Sequence, residues 1–112
     1  MNIQDIPDDD TGQAIKRWAM EGSDLNEPMK IDFFINVADE VIGSQLSVNP
    51  ALSDFKVFVE RDDDTGRWTC YCTITMIPDY RAIINIETLL ADVAKGLGAG
   101  YDGFGSFGNA GA

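Results

Sequence analysis

Arg67-Trp68-Thr69-Cys70-Tyr71-Cys72-Thr73-Ile74-Thr75-Met76-Ile77 is the stretch whose reading decides the fold. Trp68, Cys70, Cys72, Ile74 and Met76 alternate with Thr69, Tyr71, Thr73, Thr75 and Ile77. A period of two with β-branched and aromatic residues marks a strand with two unlike faces. Pro78-Asp79 ends it. Immediately upstream, Arg61-Asp62-Asp63-Asp64-Thr65-Gly66 has the composition of a hairpin loop, with Asp and Gly supplying turn geometry. Before the loop, Phe55 to Glu60 reads as the partner strand, with Phe55, Val57 and Val59 on one side and Lys56, Phe58 and Glu60 on the other.

Working outward, a long helix is expected from about Tyr80 to Lys95. Ile83, Ile86, Leu90, Val93 and Leu97 are spaced as a core-facing stripe, and Gly96 and Gly98 stop it. Tyr101 to Phe107 then reads as a strand in which apolar residues alternate with Gly, where another backbone comes close or a group packs flat. Toward the N-terminus, Met29 to Asn36 is a strand with Ile31, Phe33 and Ile35 facing one way and Lys30, Asp32, Phe34 and Asn36 the other. A short helix of about Val37 to Leu46 follows, with Asn36 as its expected cap. An earlier helix, about Thr11 to Glu21, carries Ala14, Ile15, Trp18 and Ala19 at helical spacing. Residues 1–12 read as a flexible acidic lead, 13–108 as a single domain and 109–112 as a frayed tail. The order after the first helix, strand–helix–strand–strand–helix–strand, is that of an α+β, ferredoxin-like βαββαβ sandwich with an additional N-terminal helix.

If two helices cover one sheet face, the other carries Phe34, Phe58, Tyr71 and, in simple register, Phe104. Four aromatics there either sit under the extra helix through Ile15 and Trp18, or form a homodimer contact, or make a partner surface. Asp62, Asp63 and Asp64 at the hairpin tip add negative charge that a basic partner would meet. The chain has 19 acidic and 8 basic residues, a net charge of −11. Such a surface repels phosphate backbones and anionic membranes, so neither direct nucleic-acid binding nor membrane association is expected. No apolar run reaches the length of a membrane span, and Met1 to Asp5 lacks the basic start and apolar core of a secretory signal, so a cytoplasmic protein is expected.

The chain has no histidine, which removes the commonest general base and metal ligand. Cys70 and Cys72 fall on one strand face, too strained to bridge directly, and read as buried thiols. Asp-Asp-Asp-Thr-Gly occurs at 8–12 and 62–66, but the spacing does not fit a calcium-binding loop. Asp102 beside Tyr101 is weak as an acid–base pair. No cofactor and no catalytic set is expected, and the protein reads as a non-enzyme.

Three blocks carry a resemblance to a known family: Glu21-Gly22-Ser23-Asp24 leading into a strand with Phe33-Phe34, then Cys70-Tyr71-Cys72-Thr73, then the long helix with Ile83, Leu90 and Ala94 followed by Tyr101-Asp102-Gly103-Phe104-Gly105. Across about residues 14–107 the chain resembles the family of ribonuclease E activity regulator B, the RraB family, with Phe104 where the family motif usually has Trp. The resemblance implies a ferredoxin-like sandwich and a non-catalytic regulatory protein that binds a ribonuclease E-like nuclease and so modulates RNA decay. An acidic domain suits a basic partner segment by charge. The alternative is a domain of the same fold acting as a small-ligand or dimeric sensor module with no nuclease partner.

Overall fold

The computed structural model describes residues 3–110; the outermost residues of the expected lead and tail, 1–2 and 111–112, lie outside the described residues. The chain forms α1 (Asp10–Met20), β1 (Met29–Val37), α2 (Glu40–Ser47), β2 (Lys56–Arg61), β3 (Trp68–Met76), α3 (Tyr80–Gly96) and β4 (Gly100–Gly105), with short 3-10 turns at Ile3–Asp5 and Pro50–Leu52. Each helix starts on an aspartate. Asp9 accepts from the backbone N–H of Gly12, Asp39 from Ile42 and Asp79 from Ala82, satisfying donors that have no partner inside the helix. Asp39, rather than Asn36, caps α2, so that helix begins at Glu40 and β1 runs on to Val37.

The four strands form one sheet in the order β2-β3-β1-β4, and every neighbouring pair is antiparallel. The fold is α+β, with β3 lying between β1 and β2 and β4 reaching the far side of β1. Alternation holds along β1, where Met29, Ile31, Phe33, Ile35 and Val37 are all buried. Cys70 and Cys72 are fully buried beside them, with Trp68, Ile74 and Met76 packed against the same core.

The helices are seated on this one face. α2 packs on β2, β3 and β1, α3 on β4 and β1, and α1 alongside α3. Gly43 explains how closely α2 approaches: a Cβ there would meet Cγ2 of Val59 at 2.4 Å. The glycine that lowers helix propensity is the one that lets the helix sit down on β2. Ile83, Leu90 and Ala94 of α3 and Ile15 and Trp18 of α1 complete the core. Ile6, ahead of α1, is also buried in it.

β4 departs from simple alternation. Phe34 is opposite Gly103 and Ile35 opposite Tyr101, so Asp102 is an extra residue bulged out of the ladder. Gly103 follows it with φ +107°, a conformation that favours glycine. The bulge puts Tyr101 and Phe104 on the same face although they are three residues apart. Phe104 therefore pairs with Phe33 on the helix-covered side. It packs against Phe33 (ring centroids 5.7 Å) and edge-on against Trp18 of α1 (5.8 Å).

The chain after β4 folds back on the loop between α1 and β1. Asn109, expected in a frayed tail, accepts from the Asp24 N–H at 2.8 Å and donates its side-chain amide to the Asp24 carbonyl at 2.9 Å. Its own N–H donates to Ser23 Oγ at 3.2 Å. Ser106 Oγ donates to the Lys30 carbonyl at 2.6 Å.

Candidate functional site: the uncovered sheet face

Three of the four aromatics expected on the second sheet face are there, and they stand in one row across three strands. Phe58 of β2 is opposite Tyr71 of β3, which is opposite Phe34 of β1. Phe58 and Tyr71 are stacked with centroids 4.7 Å apart and planes 9° apart, and Phe34 meets Tyr71 edge-on at 5.4 Å. Opposed residues on neighbouring strands are close enough for such rings to touch. The row continues to Gly103 on β4, and the Phe34 ring leans over Gly105, whose Cβ position lies 3.6 Å from it. A ring from the neighbouring strand thus reaches the glycine-rich strand with its outer edge.

Phe104 is not part of this face. The expectation rested on unbroken alternation through β4, and the bulge at Asp102 overturns it. Nor does α1 cover the face: Ile15 and Trp18 pack into the helix-covered core instead. Phe58 is 45% exposed, and Phe34 and Tyr71 are half-buried, mainly against each other.

The acids of the hairpin tip differ in role. Oδ1 of Asp62 accepts from the Asp64 N–H at 2.8 Å and the Thr65 N–H at 3.2 Å, which builds the turn. Asp63 lies 3.7 Å from Arg61 on the surface, and Asp64 is exposed. A shallow depression of about 300 Å³ lined by Glu60, Arg61, Asp62, Asp63, Thr69 and Tyr71 joins the tip to the aromatic row. Burial pushes the Tyr71 hydroxyl above its ordinary pKa, and the carboxylates of Glu60, Asp32 and Asp62 push it the same way. The phenol stays protonated at neutral pH, as a donor at the centre of an acid-rimmed aromatic surface.

Sequence reasoning missed two further features. Phe107 follows β4 with its ring fully exposed, at 103% of its reference area. It borders a depression of about 470 Å³ shared with Asp32, Phe34, Tyr71, Gly105 and Ser106. Alternation puts Asp32 on this face, but nothing in the pattern marks it. The signal that would have located Phe107 is the glycine inside β4, since Gly in a strand interior often marks a bulge.

The second feature lies on the helical side. Glu87 of α3 accepts from the Thr11 hydroxyl of α1 at 2.6 Å and from the Tyr101 hydroxyl of β4 at 2.7 Å. One carboxylate joins three elements. Burial pushes the Tyr101 hydroxyl up, and its hydrogen bond to Glu87 adds to the shift. Tyr101 is paired with Glu87, while Asp102 is exposed on the bulge, so the two neighbours do not form an acid–base pair. Cys70 and Cys72 are free thiols with no exposed surface. The hydrogen bond with Cys70, then burial, pushes the Cys72 thiol up, which keeps it protonated.

A family model described as regulator of ribonuclease activity B, RraB, matches residues 8–106. The chain belongs to the RraB family. The matched span takes in all three helices and all four strands, and with them the aromatic row and the hairpin tip. A search of curated proteins finds no match to the chain. No helix among the described residues is long and apolar enough to cross a membrane. The RraB family is described as one of regulators of ribonuclease activity.

Proposed function

We propose that this protein is a non-catalytic regulator that binds a ribonuclease E-like nuclease through its uncovered sheet face and so modulates RNA decay. The observation that carries the reading is the row Phe58–Tyr71–Phe34, a stacked aromatic surface with all three helices on the opposite side of the sheet. Aromatic side chains in a rigid, partly desolvated row supply large contact area at little entropic cost, which is why they dominate interface energetics. The family match supports the regulatory role.

The strand order, read as ferredoxin-like with α1 added, puts this surface on the face opposite the two crossover helices. Glu60, Asp62 and Asp63 rim it, Asp64 is exposed at the same hairpin tip, and the net charge of −11 favours a basic partner segment. A homodimer through the same face would bring two copies of those carboxylates together. The protein acts in the cytoplasm, by binding rather than turnover.

The test is calorimetric titration with the purified ribonuclease E-type enzyme of the host, with RNA cleavage followed in parallel. Binding that weakens steeply between low and moderate salt, and a cleavage rate that changes on binding, are the expected results. A partner that binds equally well at both salt concentrations would sink the charge argument, and no binding at either would remove the nuclease.

A further inference from the structure

The depression beside the aromatic row has a composition of its own. Phe34, Tyr71 and Phe107 give it aromatic walls, Gly105 and Ser106 give it a backbone side, and Asp32 is its one acidic residue. The carboxylate is held in place: the Thr73 hydroxyl, itself buried, donates to Oδ1 of Asp32 at 2.6 Å. Lys30 and Lys56 share this sheet face, but neither of the described ion pairs joins them to Asp32. The negative charge is therefore available to a cation from outside.

The backbone on both sides of Phe107 is anchored as well. Ser106 before it is tied to the Lys30 carbonyl. After it, the Gly108 N–H donates to Ser106 Oγ at 2.9 Å, and Asn109 is clasped to Ser23 and Asp24. Gly108 has φ +72°, and a Cβ there would lie 2.1 Å from Ser23 Oγ, so the return of the chain depends on glycine. Because the backbone beneath this fully exposed ring is anchored, the ordering cost of packing something on it is confined to the side chain.

We propose that this depression receives one long cationic side chain, an arginine or lysine, of the bound partner. The proposal rests on the partner-binding reading above and specifies its chemistry. The aliphatic stem lies along Phe34 and Phe107, and the cationic head reaches Asp32. Long basic side chains bury their stems on apolar surface while keeping the charge satisfied, and aromatic faces attract cations directly. A purely apolar side chain would leave the Asp32 carboxylate desolvated with only the Thr73 hydroxyl and no counter-charge, and an acidic one would be repelled by it.

The experiment is a heteronuclear NMR titration of the full chain with N-acetyl-arginine amide, using N-acetyl-citrulline amide as the neutral isostere. The arginine probe is expected to shift the amides of Asp32, Phe34, Tyr71 and Phe107 in a saturable way, and the citrulline probe is expected to bind more weakly. Phe107→Ala should weaken arginine binding roughly two- to fivefold. Asp32→Asn, which keeps an acceptor for Thr73, should remove the preference for arginine over citrulline. Shifts scattered over the acidic surface, or a preference that survives Asp32→Asn, would overturn the proposal. The nuclease takes no part in this assay. Site-specific capture of arginine without nuclease binding would break the functional reading and leave the pocket standing. Nuclease binding without arginine capture would do the reverse.

Discussion

The two faces of the sheet are built by the same strands, one residue out of step, yet they carry different chemistry. On β1, Ile31, Phe33 and Ile35 have no exposed surface, while their neighbours Asp32 and Phe34 are half-buried. On β3, Cys70 and Cys72 are sealed under helices, while Tyr71 between them stacks on Phe58 in the open. The covered face is a packed core in which Phe33 touches both Phe55 and Phe104. The other face holds its aromatics in place through each other. A sheet can thus reserve one face for stability and leave the second free for recognition, because side chains alternate between faces.

The most direct way to break this contrast is to truncate two neighbouring phenylalanines. Phe33→Ala should cost about 3–5 kcal/mol in chemical denaturation, because it opens a cavity in a closed core. Phe34→Ala should cost far less, since its ring loses only partial burial and one edge-on contact. Equal costs would mean that the second face is core as well. A smaller effect is expected at Gly43. Alanine is the better helix former, but its Cβ would press on the stiff side chain of Val59. Overpacking of this kind costs about 1–3 kcal/mol, so Gly43→Ala should lower the urea midpoint despite its propensity. A rise would show that α2 has room to move off β2.

Most of this contrast was legible in the sequence, because alternation in Met29–Val37 and Trp68–Met76 and the helical stripe through Ile83 and Leu90 depend on local period alone. What was not legible depended on events between elements. Phe104 changed face because a single bulged residue, Asp102, shifts everything after it, and the ladder that reveals a bulge belongs to two strands. Asp39 displaced Asn36 as the cap of α2 because either residue type suits that position. The clasp of Asn109 on Asp24 joins residues 85 apart, and no periodicity records it. Glu87 reads as one more polar position of α3, yet it is the acceptor for both Thr11 and Tyr101. At the candidate site, Phe34, Phe58 and Tyr71 were legible from strand parity, while Asp32 and Phe107 became visible only through the shape they share.

The double change Phe58→Ser, Tyr71→Ser sharpens the comparison from the open side. It removes one stacked and one edge-on ring pair, so stability should fall by about 1–3 kcal/mol. Affinity for the nuclease should fall at least about tenfold, as expected when central aromatic anchors are lost from an interface. Calorimetric binding and thermal melting of the same sample separate the two effects. A large fall in melting temperature with binding retained would move these rings from recognition to core.

The smallest expected effect concerns how the covering layer is fastened. Besides Ile15 and Trp18, α1 is joined to α3 by the hydrogen bond from the Tyr80 hydroxyl to Oδ2 of Asp9, the residue that caps α1. That bond, then the one from the Gly12 N–H, holds the Asp9 carboxyl below its ordinary pKa, and the same pairing pushes the Tyr80 hydroxyl up. A carboxylate with a depressed pKa in the folded state contributes stability that is present above its unfolded value, about 3.9, and is lost as pH falls through the folded value. A tyrosine with a raised pKa contributes stability that is present below about pH 10 and is lost as pH rises through its folded value. Tyr80→Phe should therefore flatten both the acid and the alkaline limbs of the stability profile, with the largest loss between them and the smallest difference at the two extremes. Exposure of the pair to solvent screens the interaction and keeps the effect slight. Neither Asp9 nor Tyr80 lines the depression on the open face, so arginine capture should be unaffected by Tyr80→Phe at neutral pH. If that substitution alters capture at the open face, the two sides of the sheet are coupled, and the separation between a stabilising face and a recognising face does not hold.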